Sequence, residues 1–437
     1  MPLKSDQSSS SLSKVLAATS KTSADTSSNT LMDTTTTNTT VDTSKVYKIV
    51  IAAGGSGGHL LPAQQLAEEL LIQKNKVCFA AKGLQQNKNF QQKSFAFLEV
   101  SSGPLKKLHL LFKGFWQAWS FLRKYQPDLV VGFGSYHSFP VLLAAVVLRK
   151  KLIVFESNAV LGQVNRFFAK RAKIVALQFA LQNQHQDKSK LKDKEKPQNK
   201  YKNIAFTPLL PWSKSFQLID QKTAREKLGL DPEKPVLFIF GGSQGADFLN
   251  KLVCRLAFFW QKEKPFQIIH LTGYQKNTEK IDLTEKTNIQ IKTKIKVQIN
   301  LKMKIKKLLE ELSIKAYVQE YSQDMGLLFS AANVVLSRSG AGTLSELIFT
   351  EKPALLVPFP FAKDNHQEIN ADFFEREICG GKKVRQNEIE VKALSEKLLF
   401  LLKQEKDFQK KLQGFKRKVQ TQKRKSLAQM VQEALEN

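Results

Sequence analysis

From Tyr47 onward the chain repeats one pattern: a short apolar run rich in β-branched residues, a small-residue turn, then apolar residues at helical spacing. "YKIVIAA" leads into the loop "GGSGGH", after which Leu61, Leu66, Leu70 and Leu71 recur as on one face of a helix. Further strands are predicted in "KVCFAA", in "DLVVGFG" at 128–134 and in "KLIVFES" at 151–157. Short strands alternating with helices imply a doubly wound parallel sheet. Beyond a Lys-, Gln- and Pro-rich stretch at 183–214 the pattern restarts with "PVLFIFGGSQGADFLNKLV" and runs through "FQIIHLTG", "KAYVQEY", "NVVLSRSG" and "PALLVPFP". The expected fold is therefore α/β with two Rossmann-like halves, followed from about Glu388 by helix.

Composition narrows the class. With 437 residues, 42% of them hydrophobic, the chain can bury two ordinary cores. The first 44 residues are Ser/Thr-rich and predict a disordered tail. No apolar run approaches the roughly 18 to 20 residues that a membrane-spanning helix needs. Cys78, Cys254 and Cys379 are widely spaced, which excludes a disulfide scaffold or zinc ribbon and suits a reducing cytosol. The net charge of +29 invites a nucleic-acid or anionic-membrane partner, but its distribution tempers that. Residues 183–202 hold seven lysines against three acids and 275–307 hold ten against three, so two polar inserts carry +11 of the total.

In a doubly wound sheet, ligands bind beyond the carboxyl ends of the strands. The polar clusters fall there: "AAGGSGGH", "GFGSYHS", "FESNAV", "FGGSQGA", "SRSGAGTLSE" and "FPFAKDNHQ". Glycines between strand and helix admit a phosphate to backbone N–H groups and to the positive end of the helix, although a tight turn needs glycine for packing alone. Neither glycine loop matches the dinucleotide fingerprint or carries the P-loop lysine. Glu346 either caps its helix or accepts hydrogen bonds from a diol such as ribose. His366, Gln367 and Asn370 gather donors and acceptors in one turn, which would suit sugar hydroxyls.

Taken together, "GGSGGHLLPA", "GFGSYHSFPVLLAA", "ESNAVLGQVNRFFAKRA", "GGSQGA", "SRSGAGTLSEL" and "KDNHQEINA" resemble the MurG family over about residues 45–435. These are bacterial N-acetylglucosaminyltransferases that convert lipid I to lipid II in peptidoglycan synthesis. The resemblance implies a GT-B fold with an acceptor domain at 45–211, a UDP-sugar donor domain at 212–419 and a C-terminal helix at 420–437 returning to the first domain. It implies no metal and no cofactor. The implied substrates are UDP-N-acetylglucosamine and undecaprenyl-pyrophosphoryl-MurNAc-pentapeptide, lipid I. An anionic surface on the cytoplasmic face of the bacterial inner membrane and other cell-wall synthesis proteins are the expected partners, and nucleic acid is not.

Carried over residue by residue, the family pattern brings Ser56, Gly57, Gly58 and His59 to the acceptor diphosphate and the reacting sugar. His59 is the candidate general base and Glu156 the second. Asn158 lies near the donor sugar, and Ser243, Gln244 and Ser322 are donor-side contacts. Ala341, Gly342, Thr343, Leu344, Ser345 and Glu346 wrap the nucleotide, with Glu346 on the ribose, and His366, Gln367 and Asn370 meet the sugar. The chain departs from the pattern at Phe155 and Ser157, where the family has His and Gln. Ser135 replaces a glycine, Gly342 a bulkier apolar residue, and Leu210 an arginine that faces the donor phosphates.

Three other readings fit parts of the chain. A diacylglycerol glycosyltransferase would share the donor half. An NAD enzyme would need a ribose-binding acid after the second strand, where "VCFAAKG" offers none, and a nucleic-acid binder would need its charge interleaved with aromatics. In "PLKKLHLLFKGFWQAWSFLRK", Leu111, Phe112, Phe115, Trp116 and Trp119 recur at helical spacing among basic residues. Such a helix docks on an anionic membrane or faces the core.

Overall fold

A computed structural model describes residues 45–55, 57–103, 107–182, 200–201, 203–209, 216–242, 246–273 and 301–436. The Ser/Thr tail, nearly all of the 183–202 insert and the part of the second insert before Leu301 lie outside them, as do Ser56, Leu210, Ser243 and Gln244. The chain divides into two compact units, residues 1–208 with 422–437, and residues 209–421.

In the first unit, β1 (Lys48–Ala52) leads to α1 (Gly57–Ile72), β2 (Lys76–Ala81), β3 (Ala96–Glu99) and α2 (Leu108–Tyr125). Then come β4 (Leu129–Gly132), α3 (Phe139–Val147), β5 (Lys151–Glu156), α4 (Gln163–Ala169), β6 (Ile174–Leu177) and β7 (Ile204–Phe206). The strands are parallel in the order β3-β2-β1-β4-β5-β6-β7. Ile49, Val50, Ile51 and Ala52 of β1 and Leu129, Val130 and Val131 of β4 are all sealed from solvent. Helices on both faces explain why these strands read as unbroken apolar runs rather than alternating ones.

The second unit contains α5 (Gln221–Lys227), β8 (Val236–Phe240), α6 (Asp247–Phe259), β9 (Gln267–Leu271), α7 (Leu301–Glu311) and β10 (Ala316–Gln319). It continues through α8 (Met325–Ala331), β11 (Val334–Ser337), α9 (Ala341–Thr350), β12 (Ala354–Leu356), α10 (His366–Phe373), β13 (Gly381–Lys383), α11 (Val391–Lys403) and α12 (Glu405–Gln420). Its six parallel strands run β10-β9-β8-β11-β12-β13. In each sheet the order in which strands are added reverses beside its first strand, at β1/β4 and at β8/β11.

Two expectations are corrected. Residues 301–307, assigned to a polar insert, form the first turns of α7, whose Leu301, Ile305 and Leu309 enter the second core while the intervening lysines stay outside. The stretch after Glu388 is not one helix: the chain bends at Gln404, and Thr421–Ser426 separate α12 from α13 (Leu427–Glu436).

Helix α13 closes the first unit. Its Met430, Val431 and Ala434 are buried, and Arg424 just before it donates Nη1 to the carbonyls of Gln178 at 3.0 Å and Thr207 at 2.7 Å. Lys151 and Lys173 reach the carbonyls of Leu435 and Ala434 at 3.0 and 3.2 Å. Burial lowers the Arg424 guanidinium to about 10.

Candidate functional site

Every polar cluster singled out in the sequence follows the carboxyl end of a strand: β1, β4, β5, β8, β11 and β12. The clusters after β1 and β4 flank one switch point and those after β8 and β11 the other, which is where doubly wound sheets bind ligands.

At the first switch point the chain leaves β1 through Gly55, whose φ of 90° is open to glycine. Helix α1 begins at Gly57, so Gly57, Gly58 and His59 form its first turn rather than a loop. Gly57 is buried, Gly58 exposed and His59 half-buried. The first N–H groups of a helix have no partner within it, and here the first two belong to glycines with no side chain in the way. Asn87 Nδ2 donates to the Gly55 carbonyl at 2.6 Å and ties the turn to the segment after β2.

Glu156 ends β5, only 3% exposed, and its carboxylate is enclosed by donors. Oε1 accepts from the Asn158 backbone N–H at 3.1 Å and from Asn158 Nδ2 at 2.8 Å. Oε2 accepts from the Gly162 N–H at 2.9 Å and from Asn165 Nδ2 at 3.0 Å. A carboxylate holding four hydrogen bonds is poorly disposed to take a substrate proton, so its role as second candidate base gives way to one of organising the 157–165 loop. Asn158, the expected sugar contact, is set in place by that carboxylate. Asn165 was quoted in the sequence without a role, since only the fold brings it back to residue 156.

In the second unit α9 follows Gly340, which has no side chain to cap it, and Glu346 is the sixth residue of the helix, beyond its first turn. The first intrahelical bond is Leu344 N–H to Gly340 O at 3.0 Å, so the N–H groups of Ala341, Gly342 and Thr343 point out of the helix end. The side chains of Leu344 and Ser345 are fully buried and cannot reach a ligand, contrary to expectation; any contact they make is through the main chain. Glu346 is half-buried, and no described residue donates to its carboxyl group. Desolvation pushes that group up to about 8.

Asn370 is also sealed, with Nδ2 on the Ser339 carbonyl at 3.0 Å. It braces the loop after β11 and does not face a sugar. Gln367 Oε1 accepts the Phe359 N–H at 2.9 Å, which turns its NH2 group away from that backbone as a donor. His366 Nδ1 lies 2.6 Å from the Lys363 carbonyl, so this nitrogen carries the proton. Ser322, after β10, accepts from the Asp324 N–H at 3.1 Å.

The sequence reading passed over Arg338, inside "SRSGAG". It is 6% exposed, donates Nη1 to the carbonyls of Val357 and Pro358 and Nη2 to Gln386, and lies 5.6 and 5.4 Å from the Phe248 and Phe359 ring centroids. Burial lowers it to about 10. It fastens the loop carrying Phe359, and so the backbone that holds Gln367. An arginine directly after an apolar strand was the available signal. Among the described residues no group of His, Cys, Asp or Glu is placed to hold a metal ion.

Comparison with known proteins agrees with this layout. The glycosyltransferase family 28 N-terminal domain matches residues 49–177 and the C-terminal domain matches residues 236–431. The UDP-N-acetylglucosamine–N-acetylmuramyl-(pentapeptide) pyrophosphoryl-undecaprenol N-acetylglucosamine transferase of Protochlamydia amoebophila is 35% identical over 350 residues, 77% of this chain and 82% of that protein. The corresponding Chlamydia trachomatis serovar L2 protein is 30% identical, covering 82% and 90%. Among solved structures, MurG of Acinetobacter baumannii superposes with a TM-score of 0.62 at 22% identity over 89% of this chain and 99% of that one. The glycosyltransferase of kitacinnamycin follows with a TM-score of 0.59 at 13% identity, covering 89% and 99%, a likeness of GT-B fold alone.

Proposed function

Because the chain belongs to the MurG family, we propose that it transfers N-acetylglucosamine from UDP-N-acetylglucosamine to the C4 hydroxyl of the muramyl sugar of lipid I, with inversion, giving lipid II. The observation that carries this reading is that all six family motifs follow strands of the two sheets, four of them at the strands that flank the two switch points. His59, in the first turn of α1, takes the proton from the attacking hydroxyl as it closes on C1 of the donor sugar. The N–H groups of Gly57 and Gly58 meet the acceptor diphosphate, and the uncapped end of α9 meets the departing UDP. Glu346 accepts from the ribose diol, while the Gln367 NH2 group donates to the sugar. Glu156 holds Asn158 in register with the transferred sugar.

The acceptor is lipid-linked, and α2 offers the surface to meet it. Leu108, Phe112 and Trp116 are 68%, 67% and 51% exposed, with Lys107, Lys113, Arg123 and Lys124 on the same helix or at its start. Phe115 and Trp119 pack against the core from the same helix. Among the described residues no helix is long and apolar enough to cross a membrane. Peripheral attachment to the cytoplasmic face of the bacterial inner membrane accords with this.

The deciding experiment is transfer of labelled sugar from UDP-N-acetylglucosamine to a lipid I analogue, with diacylglycerol as the competing acceptor. Product on lipid I alone is expected; product on diacylglycerol alone would reassign the acceptor.

A further inference from the structure

We propose that His137, locked by Ser135, is a positioning residue that holds the Gly54–Gly58 turn in its acceptor-binding geometry, an inference resting on the acceptor role given to that turn above. Ser135 follows Gly134 at the end of β4 with φ 67°, a left-handed conformation that a serine adopts only at a cost. Its hydroxyl lies 2.8 Å from His137 Nδ1, a bond that compensates the serine and fixes the imidazole at once. The ring also stacks on Tyr136, centroids 4.0 Å apart and planes inclined by 29°, and the His137 carbonyl accepts from the Lys82 N–H at 3.2 Å. His137 is thus held by the strand end on one side of the switch point and by the segment after β2 on another.

What it supports is the opposite wall. A methyl group on Gly54 would stand 2.9 Å from His137 Cβ, and one on Gly55 would stand 2.9 Å from its Nδ1 and 3.5 Å from Ser135 Oγ. The imidazole fills the space that a side chain at Gly55 would take, while Gly54 rests on His137 Cβ together with the Lys82 carbonyl and Ala81. In sequence Gly54 and Gly55 come just before Gly57, Gly58 and His59, separated from them by Ser56 alone. A displaced ring therefore moves the acceptor-facing N–H groups and the base together, while the nucleotide-binding residues, which belong to the other unit, are untouched.

The test compares His137→Val, Ser135→Gly and the double variant in full-length protein. His137→Val should lower kcat/KM for a lipid I analogue by roughly tenfold to a hundredfold while KM for UDP-N-acetylglucosamine stays within about twofold. The double variant should be no worse than His137→Val, because residues acting as one unit are not additive. Amide hydrogen exchange across residues 53–60 should quicken in His137→Val with the melting temperature of the protein little changed. Unchanged acceptor kinetics, a rise in KM for UDP-N-acetylglucosamine as large as that for the acceptor, or additive effects would overturn the proposal. Should the wild-type protein transfer nothing to lipid I, the assigned activity has failed instead, and exchange alone decides: quickened exchange upholds the positioning role and unaltered exchange refutes it.

Discussion

Asn165 Nδ2 stands 3.0 Å from Glu156 Oε2, joining the first turn of α4 to the last residue of β5 within the buried part of the first unit. With the three other donors on the same carboxylate, this makes Glu156 the knot of its loop. Glu156→Gln replaces one acceptor oxygen by a donor facing donors, which should cost about 1 to 3 kcal/mol of stability as well as activity. Thermal melting beside turnover checks it: full stability with lost turnover would restore Glu156 as a base.

His59→Ala should behave in the opposite way. General bases of this kind contribute about 10²- to 10⁴-fold in rate, so turnover should fall by at least about a hundredfold while UDP affinity and melting hardly move. Single-turnover kinetics with saturating lipid I separate this from weakened acceptor binding.

Glu346 gives a pH signature. Its carboxyl group sits at about 8 in the free protein, against an ordinary 4.5, so at pH 7 it is mostly protonated. Hydrogen bonds donated by the ribose diol favour the ionised form, and UDP binding at pH 7 should therefore release close to one proton. Titration calorimetry in buffers of different ionisation enthalpy reads the release, which should vanish in Glu346→Gln and above about pH 9. Zero release at pH 7 would remove the carboxylate from the ribose. The same raised value bears on stability. The unfolded chain loses this proton near 4.5 and the folded protein near 8, so the native state loses stability as pH rises through that window. The Gln variant should gain on the wild type from pH 4.5 to 8 and hold its advantage beyond.

Ile305, 1% exposed in α7, tests the boundary of the second insert. Ile305→Ala should destabilise by about 2 to 5 kcal/mol, measured by urea unfolding, as a cavity in a packed core does. A cost near zero would return residues 301–307 to the insert.

Phe112 and Trp116 form the exposed half of the α2 aromatic face, their rings 6.5 Å apart. Replacing both by serine should abolish flotation with anionic liposomes while leaving the melting curve unchanged, whereas Phe115→Ser should also destabilise, since that ring packs on the core. Retained flotation would end the docking role of α2.

The fold was readable wherever a strand is central. Ile49–Ala52 and Leu237–Phe240 announce themselves because covering helices force apolar residues onto both faces. The outer strands β3, β6, β7 and β13, only three or four residues long, are too short to show any period. Helix α7 was hidden by its lysines, although Leu301, Ile305 and Leu309 at intervals of four carried the signal. At the site, residue types in loops were legible but their partners were not. Whether Asn158 faces a sugar or a carboxylate, and whether Asn370 sees solvent, depends on residues far away in sequence. Arg338 has the same lesson, its acceptors lying 19, 20 and 48 positions on.

The Arg424 clasp and the buried face of α13 have a bearing on synthesis. Residues 209–421 form a continuous stretch, whereas the first unit is interrupted and needs Met430, Val431 and Ala434 to cover its sheet. On the ribosome the order of chain emergence and the order of completion are thus reversed: the later unit can close while the earlier one still shows an unfinished apolar face. The apolar face of the first unit stays uncovered from the emergence of residue 208 until α13 follows, while some two hundred residues are translated at about 5 to 20 per second, and over that time the nascent chain most needs a chaperone.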